Sequence, residues 1–496
     1  MVEPRKGGAG TIRLSVWDSA ILLSGLALVL GIFLAVTLVR PELAVYFLWF
    51  TILTILLAVP LVIGCVTRRM DPFDPTAIIA ACYFLYFVYA PIRSLLAGQY
   101  YFFGKLVMPL LPLGSLYLVF GIIGMWAGYY ASGIARRAAR ALPSPPATHR
   151  GVISYAWIVA LLAIVAFNAY AHSVGLSWFR LLTLGQFGSS SAAVETLSQA
   201  SRGAFGNYLY STLDWLTSAL MLLYAFSHRG RKWLLAAFVA VLLVYTTIGF
   251  RFRVVVLVLA PMIYHYLSIK RRPGVLRMAG VAVGIMLLIG AIGMSRSSFR
   301  AGEDIAPAGV SISSSRETFS NDLNIYQGYL AIIDAFPRDH GYLWGSSFAY
   351  LLLQPIPRGL WPDKPEAPVG TIVDVVLGPD AVAAGIAYPN VGEFYANFGA
   401  AGLFACMWIF GFFARVLYEY LGQHESNDWA RIIYAVSIPF IIQVISRGYF
   451  VQIFQEGAFL LLPLILGMWI CGRGSRVQSP ALARAGAPSA SAGTRI

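Results

Sequence analysis

The side chains best suited to chemistry are cations and acids standing at the edges of long apolar runs. Arg251 and Arg253 lie in 249-GFRFR-253, Arg358 and Lys364 in 356-IPRGLWPDKP-365, and Arg447 in 446-SRGYF-450. The planar fork of arginine binds phosphate oxygens in pairs and keeps its charge, whereas lysine acts as a point charge. An arginine fully in hydrocarbon costs about 2.5–3.5 kcal/mol. A water-filled anion site removes that penalty, and snorkelling toward lipid headgroups is the competing explanation. For taking a proton from a hydroxyl nucleophile the candidates are Glu393 in 392-GEFYANFGAAG-402, His340 in FPRDHGY and Asp363 in WPDKP. A general base contributes about 10²–10⁴-fold. Against this, Glu393 could complement a helix dipole, Asp363 could serve its turn, and His340 could be an ordinary surface residue. His172 ranks behind them. Asp214, inside an apolar run, is a functional candidate by position or a hydrogen-bonding partner of a neighbouring helix. Trp344, Trp361, Tyr388 and Tyr395 could stack on sugar faces, although interfacial belts explain most of the 14% aromatic content. The four cysteines fall in or beside apolar runs, and no CxxC or HExxH pattern suggests a metal or a disulfide framework.

The elements that must position these groups follow from composition. The chain has 496 residues, 58% hydrophobic and 12% charged, with mean hydropathy +0.72. Soluble domains carry about 25% charged residues, so a soluble enzyme, a coiled coil and a disordered chain are excluded. The expected fold is an all-α polytopic membrane protein. A span needs about 20 apolar residues, and about twelve such runs are found: 19–39, 43–65, 76–96, 107–131, 152–172, 207–227, 233–250, 253–269, 276–295, 398–420, 432–446 and 456–472. The first is too long for a signal-peptide core and reads as a retained anchor.

Lysine and arginine set the orientation. With the N-terminus inside, the inner connections hold Arg68, Arg69, Arg136, Arg137, Arg140, Arg150, Arg229, Arg231, Lys232, Lys270, Arg271, Arg272, Arg277 and Arg431, besides the basic termini. The short outer connections hold far fewer: Arg40, Arg93, Lys105, Arg251, Arg253 and Arg447. Both termini are therefore expected in the cytosol, and the net charge of +14 needs no nucleic acid to explain it. The organisation reads as a cytosolic segment 1–18, spans one to nine over 19–295 with an outer loop at 173–206, a large outer loop at 296–397 between spans nine and ten, spans ten to twelve over 398–472, and a disordered tail 473–496. Loops longer than about 15 residues are usually functional, so the working surface is expected on the outside. Gly399 and Gly402, near the start of span ten, are small enough to let helices approach closely.

The strings 356-IPRGLWPDKP-365, 392-GEFYANFGAAG-402 and 446-SRGYF-450, in order in one multi-span chain, resemble the oligosaccharide repeat unit polymerases, the O-antigen and exopolysaccharide polymerase group called Wzy. Similar features are 249-GFRFR-253 and DPTAIIAACYFLYFVYAP from Asp74 to Pro91, the stronger motifs covering residues 245–455. The resemblance implies a GT-C-like helical fold in the bacterial inner membrane, working on its periplasmic face. It implies a cofactor-free, metal-independent glycosyl transfer between undecaprenyl-diphosphate-linked glycans, with a chain-length regulator and a flippase as partners besides membrane lipids. Arg251, Arg253, Arg358, Arg447 and Lys364 would then hold the departing diphosphate. Glu393, His340 or Asp363 would be the base of an inverting transfer, and Trp361, Tyr388 and Tyr395 would line the glycan path. An O-antigen ligase shares topology and a large outer loop. A lipid-linked glycan flippase is the alternative of another class, less suited to polar residues gathered in one outer loop.

Overall fold

A computed structural model describes residues 12–13, 16–147, 150–173, 204–227, 231–248, 251–269, 280, 284, 323–356, 360–361, 363–365, 368–378 and 387–473. The chain forms α1 (Val16–Val39), α2 (Ala44–Leu57), α3 (Val59–Thr67), α4 (Pro75–Leu96), α5 (Leu111–Tyr130), α6 (Ser132–Ala141) and α7 (Val152–Ser173). There follow α8 (Ala204–Ser211), α9 (Asp214–Phe226), α10 (Arg231–Ile248) and α11 (Arg251–Ser268). Next come α12 (Ile325–Ala335), α13 (Ser346–Leu353), α14 (Pro368–Leu377), α15 (Asn390–Gln423), α16 (Asp428–Ser446) and α17 (Phe450–Arg473). The described strands are two-residue pairs, Ile12–Arg13 with Arg69–Met70 and Tyr101–Phe102 with Lys105–Leu106.

Among the described residues seven helices are long and apolar enough to cross a membrane, and α2–α3, bent by 43°, is a broken span or a re-entrant loop. This is a multi-pass membrane protein. The expected run 207–227 is interrupted between α8 and α9, while α10 and α11 have shorter apolar stretches. Run 276–295, most of the loop 173–206, residues 296–322 and the tail after Arg473 lie outside the described residues.

Local chemistry explains the breaks and ends. Pro60 has no N–H for the Leu56 carbonyl one turn back. That carbonyl accepts the Trp126 indole N–H at 2.9 Å, which ties the bend to α5. Asp74 caps α4, its Oδ1 accepting the Thr76 N–H at 2.9 Å ahead of Pro75. Asn427 caps α16 in the same way through Trp429 N–H.

The deepest packing joins α5 to α15. A Cβ on Gly128 would run into the Trp408 carbonyl, and one on Gly411 into the Met125 carbonyl. Small residues thus let the two backbones touch, as membrane helices without a hydrophobic driving force require. The expectation placed this role on Gly399 and Gly402. Gly402 instead faces Phe398 of its own helix, and Gly399 is a backbone break.

Candidate active site

Helix α15 is two arms. Gly399 has φ 65° and ψ −157°, a left-handed conformation that favours glycine. The Tyr83 hydroxyl lies 3.0 Å from Asn390 Oδ1 and 3.5 Å from Met407 Sδ. Along a straight helix those two residues would sit about 26 Å apart at 1.5 Å per residue. Residues 390–398 therefore double back against the long arm that follows. The chain stretch at Leu343–Gly345 receives the carbonyls freed at the break: Leu343 N–H donates to Ala396 O at 3.0 Å, and Trp344 N–H to Asn397 O at 2.9 Å. Asn397 finishes the joint, accepting Gly345 N–H at 3.0 Å and donating to Ser347 Oγ at 2.7 Å.

This short arm carries Glu393 into the bundle, where it is 3% exposed. Its Oε2 accepts the Phe450 backbone N–H at 2.8 Å. That amide belongs to the first turn of α17, which has donors to spare and a partial positive charge. Ser347 also bonds the carboxyl, since its oxygen already accepts from Asn397. The GEFYANFG and SRGYF strings meet here. Gly448 N–H donates to Tyr388 O at 2.6 Å, and the Tyr388 and Tyr449 rings cross edge to face at 4.7 Å. A Cβ on Gly448 would strike the Pro389 carbonyl. Arg447, half-buried, bonds the Tyr449 hydroxyl. Burial pushes that hydroxyl up to about 12, with Arg447 opposing the rise. Burial, then the charge of Glu393, raises Tyr388 well above the usual phenol range, and its hydroxyl is buried with no hydrogen-bond partner among the described residues.

Glu393, Tyr388 and Arg447 are thus brought together, and the other described candidates have different surroundings. Tyr395 is buried on the arm between Tyr117 at 5.0 Å and Tyr342 at 6.1 Å. Arg253 forms a two-pronged pair with Asp214, at 2.7 Å and 3.1 Å, and lies 4.7 Å over the Tyr210 ring. Lys364 is buried and donates to the Gln354 and Ile356 carbonyls at 3.1 Å and 3.0 Å. It connects to α17 through Gln354 Nε2, which donates to Gln455 Oε1 at 2.9 Å. Asp363 and Trp344 are exposed, Trp361 is 38% exposed, and His340 is half-buried, 5.9 Å from Phe336. His172 is exposed near the end of α7. Arg251 heads α11, but its side chain, like all of Arg358, lies outside the described residues.

Several polar residues at this centre were not anticipated. Ser347 and Asn397 assemble the joint at Glu393. Glu456, in the second turn of α17, is buried, its oxygens accepting Gln452 Nε2 at 2.9 Å and Gln443 Nε2 at 3.2 Å. The signal was present: an acid within an apolar run, on the helical face of Gln452 and Gln455. The opposite end of the bundle has its own charged layer. There Tyr129 donates to Asp74 at 2.6 Å, Arg415 pairs with Glu419 at 2.6 Å, and Tyr418 donates to Asp71 at 3.1 Å. Among the described residues no cluster of His, Cys, Asp and Glu could hold a metal.

A family model described as O-antigen polysaccharide polymerase Wzy matches residues 21–473. No curated protein and no solved structure matches the chain.

Proposed function

The chain belongs to the O-antigen polysaccharide polymerase Wzy family, a glycosyltransferase-type membrane enzyme acting on lipid-linked glycans, and from that premise we propose how its residues join repeat units. The donor is a glycan on undecaprenyl diphosphate, and the acceptor is a hydroxyl of an incoming lipid-linked repeat unit. The acceptor oxygen bonds the donor's anomeric carbon from the face opposite the leaving group, and the bond from that carbon to the diphosphate oxygen breaks. The configuration inverts. The hydroxyl proton passes to Glu393, and the diphosphate leaves with the electron pair.

The cation roles follow from commitment. Arg447, with Arg251 and Arg358, takes the diphosphate oxygens as charge grows on them. Arg253 and Lys364 already have partners, Asp214 and two backbone carbonyls, and add positive charge from further off. His340 and Asp363 rank below Glu393 as base, since no described contact joins either of them to the SRGYF turn that bears Arg447. Tyr388 faces the acceptor, and the exposed Trp361 offers a sugar-stacking face. The bundle is read as GT-C-like, with both termini cytosolic and this centre at the periplasmic side of the bacterial inner membrane. A flippase supplies the substrate and a chain-length regulator sets when transfer stops.

The observation that carries this reading is the folded-back arm, which sets an acid against the SRGYF turn bearing Arg447. Its test is direct. Purified protein given lipid-linked repeat unit alone should lengthen it without nucleotide or ion gradient. Deleting the gene should leave single repeat units on their final acceptor; complete loss of attached glycan would indicate a ligase instead.

A further inference from the structure

We infer that Glu456 is a positioning residue that holds Arg447 at the site, an inference resting on the diphosphate role proposed above for Arg447. Helices α16 and α17 form a tight hairpin whose register is set by Gln443 of one meeting Glu456 of the other, Nε2 to Oε2 at 3.2 Å. Arg447 lies one turn beyond Gln443, its N–H donating to the Gln443 carbonyl at 3.0 Å. The facing turn of α17 carries Gln452, whose amide holds the other Glu456 oxygen at 2.9 Å. The carboxylate is thus seated between two neutral amides, with Arg447 at the mouth of the same hairpin.

Three acids of the helices have their own cations: Asp214 with Arg253 at 2.7 Å, Glu419 with Arg415 at 2.6 Å, and Asp428 with Arg431 at 2.9 Å. Glu393 is held instead by the Phe450 N–H. Among the described residues, neither Glu456 nor Arg447 has an ion-pair partner within 4.0 Å. The charges acting on Glu456 include those of Asp214, Arg253 and Arg447. Arg253 is already committed to Asp214, so of the two cations Arg447 is the one without an acid of its own. Two amides supply hydrogen bonds to a buried carboxylate but no countercharge, and charge attraction is long-ranged where the dielectric is low. Glu456 therefore draws the guanidinium inward, away from lipid headgroups, and toward the Tyr449 hydroxyl that bonds it. Glutamine at this position keeps the shape and an acceptor oxygen and loses the pull.

The test is binding of undecaprenyl diphosphate to the full chain in lipid nanodiscs. R447A should weaken binding about tenfold or more, and E456Q should weaken it about tenfold, as coupled charged residues do. E456D should recover most of the loss, and R447A/E456Q should bind no more weakly than R447A alone. A purely structural role for Glu456 would lower the unfolding temperature and leave affinity per folded molecule unchanged. Native-like affinity in E456Q, with R447A impaired, overturns this inference alone. Native-like affinity in R447A overturns the diphosphate role of Arg447, and this inference with it.

Discussion

Glu393 and Phe450 are 57 positions apart, yet one hydrogen bond joins them, the carboxylate Oε2 accepting the backbone N–H at 2.8 Å. The bond pins the folded-back arm of α15 to the first turn of α17. Seating a helix in this way is separable from the proton-accepting role proposed for the acid.

Glutamine separates them. E393Q retains an oxygen for the Phe450 amide but cannot accept a proton. We expect its polymerisation rate with purified lipid-linked repeat units to fall about 10²–10⁴-fold. Its unfolding midpoint should stay within about 3 °C of native, because the seating bond survives. E393A should lose both activity and stability. A Gln variant that polymerises normally would confine Glu393 to holding α17.

The Asp214–Arg253 pair, each side chain 3% exposed, makes a different expectation. Removing one partner strands a buried charge and should cost about 3–5 kcal/mol, whereas replacing both with apolar residues is often neutral. D214A and R253A should therefore reduce folded protein on size-exclusion chromatography, and D214L/R253M should restore it. If Arg253 contributes only distant charge, the double variant polymerises within about tenfold of native. A stable but inactive double variant would move Arg253 into direct contact with substrate.

Two glycines shape the site by unlike means. A Cβ on Gly448 would meet the Pro389 carbonyl and Tyr388 Cδ2, the latter at 2.6 Å, so G448A should pry the SRGYF turn from the arm at about 1–3 kcal/mol. G399A combines a left-handed backbone at φ 65° with the Tyr342 hydroxyl at 2.8 Å, the first alone costing about 1–2 kcal/mol. Both should lower thermal stability and shorten polymer in cells. G133A, with nothing within 4 Å, should do neither; equal stability in all three would contradict the packing described.

The sequence made the straight elements legible because a run of apolar residues reports its own length. Expected spans 76–96 and 152–172 correspond to Pro75–Leu96 and Val152–His172. It did not make the folded-back arm legible, because residues 390–398, with Asn390, Glu393 and Asn397 among them, read as the end of the outer loop, and Gly399 reads equally well as a packing glycine. The motif strings around Glu393 and Arg447 were visible, and their contact was not. Partners such as Asp214 and Arg253, 39 positions apart, are chosen by helix packing, which no local spacing encodes. Glu456 stood out only as an acid in an apolar run. Its amide partners come from two different helices.

Orientation is the expectation on which the chemistry depends, and exposed positions test it. Leu360 is 81% exposed in the segment next to Trp361, and Arg137 is exposed on the basic helix α6. Under the proposed topology the first faces the periplasm and the second the cytosol. A membrane-impermeant maleimide should label L360C in cells with a permeabilised outer membrane, and R137C only after the inner membrane is opened. The background is low, because Cys65, Cys82 and Cys471 are buried and Cys406 is half-buried. The reverse pattern would put the Glu393–Arg447 end in the cytosol. The periplasmic polymerisation reading could not survive that result, however well the arginines bind diphosphate.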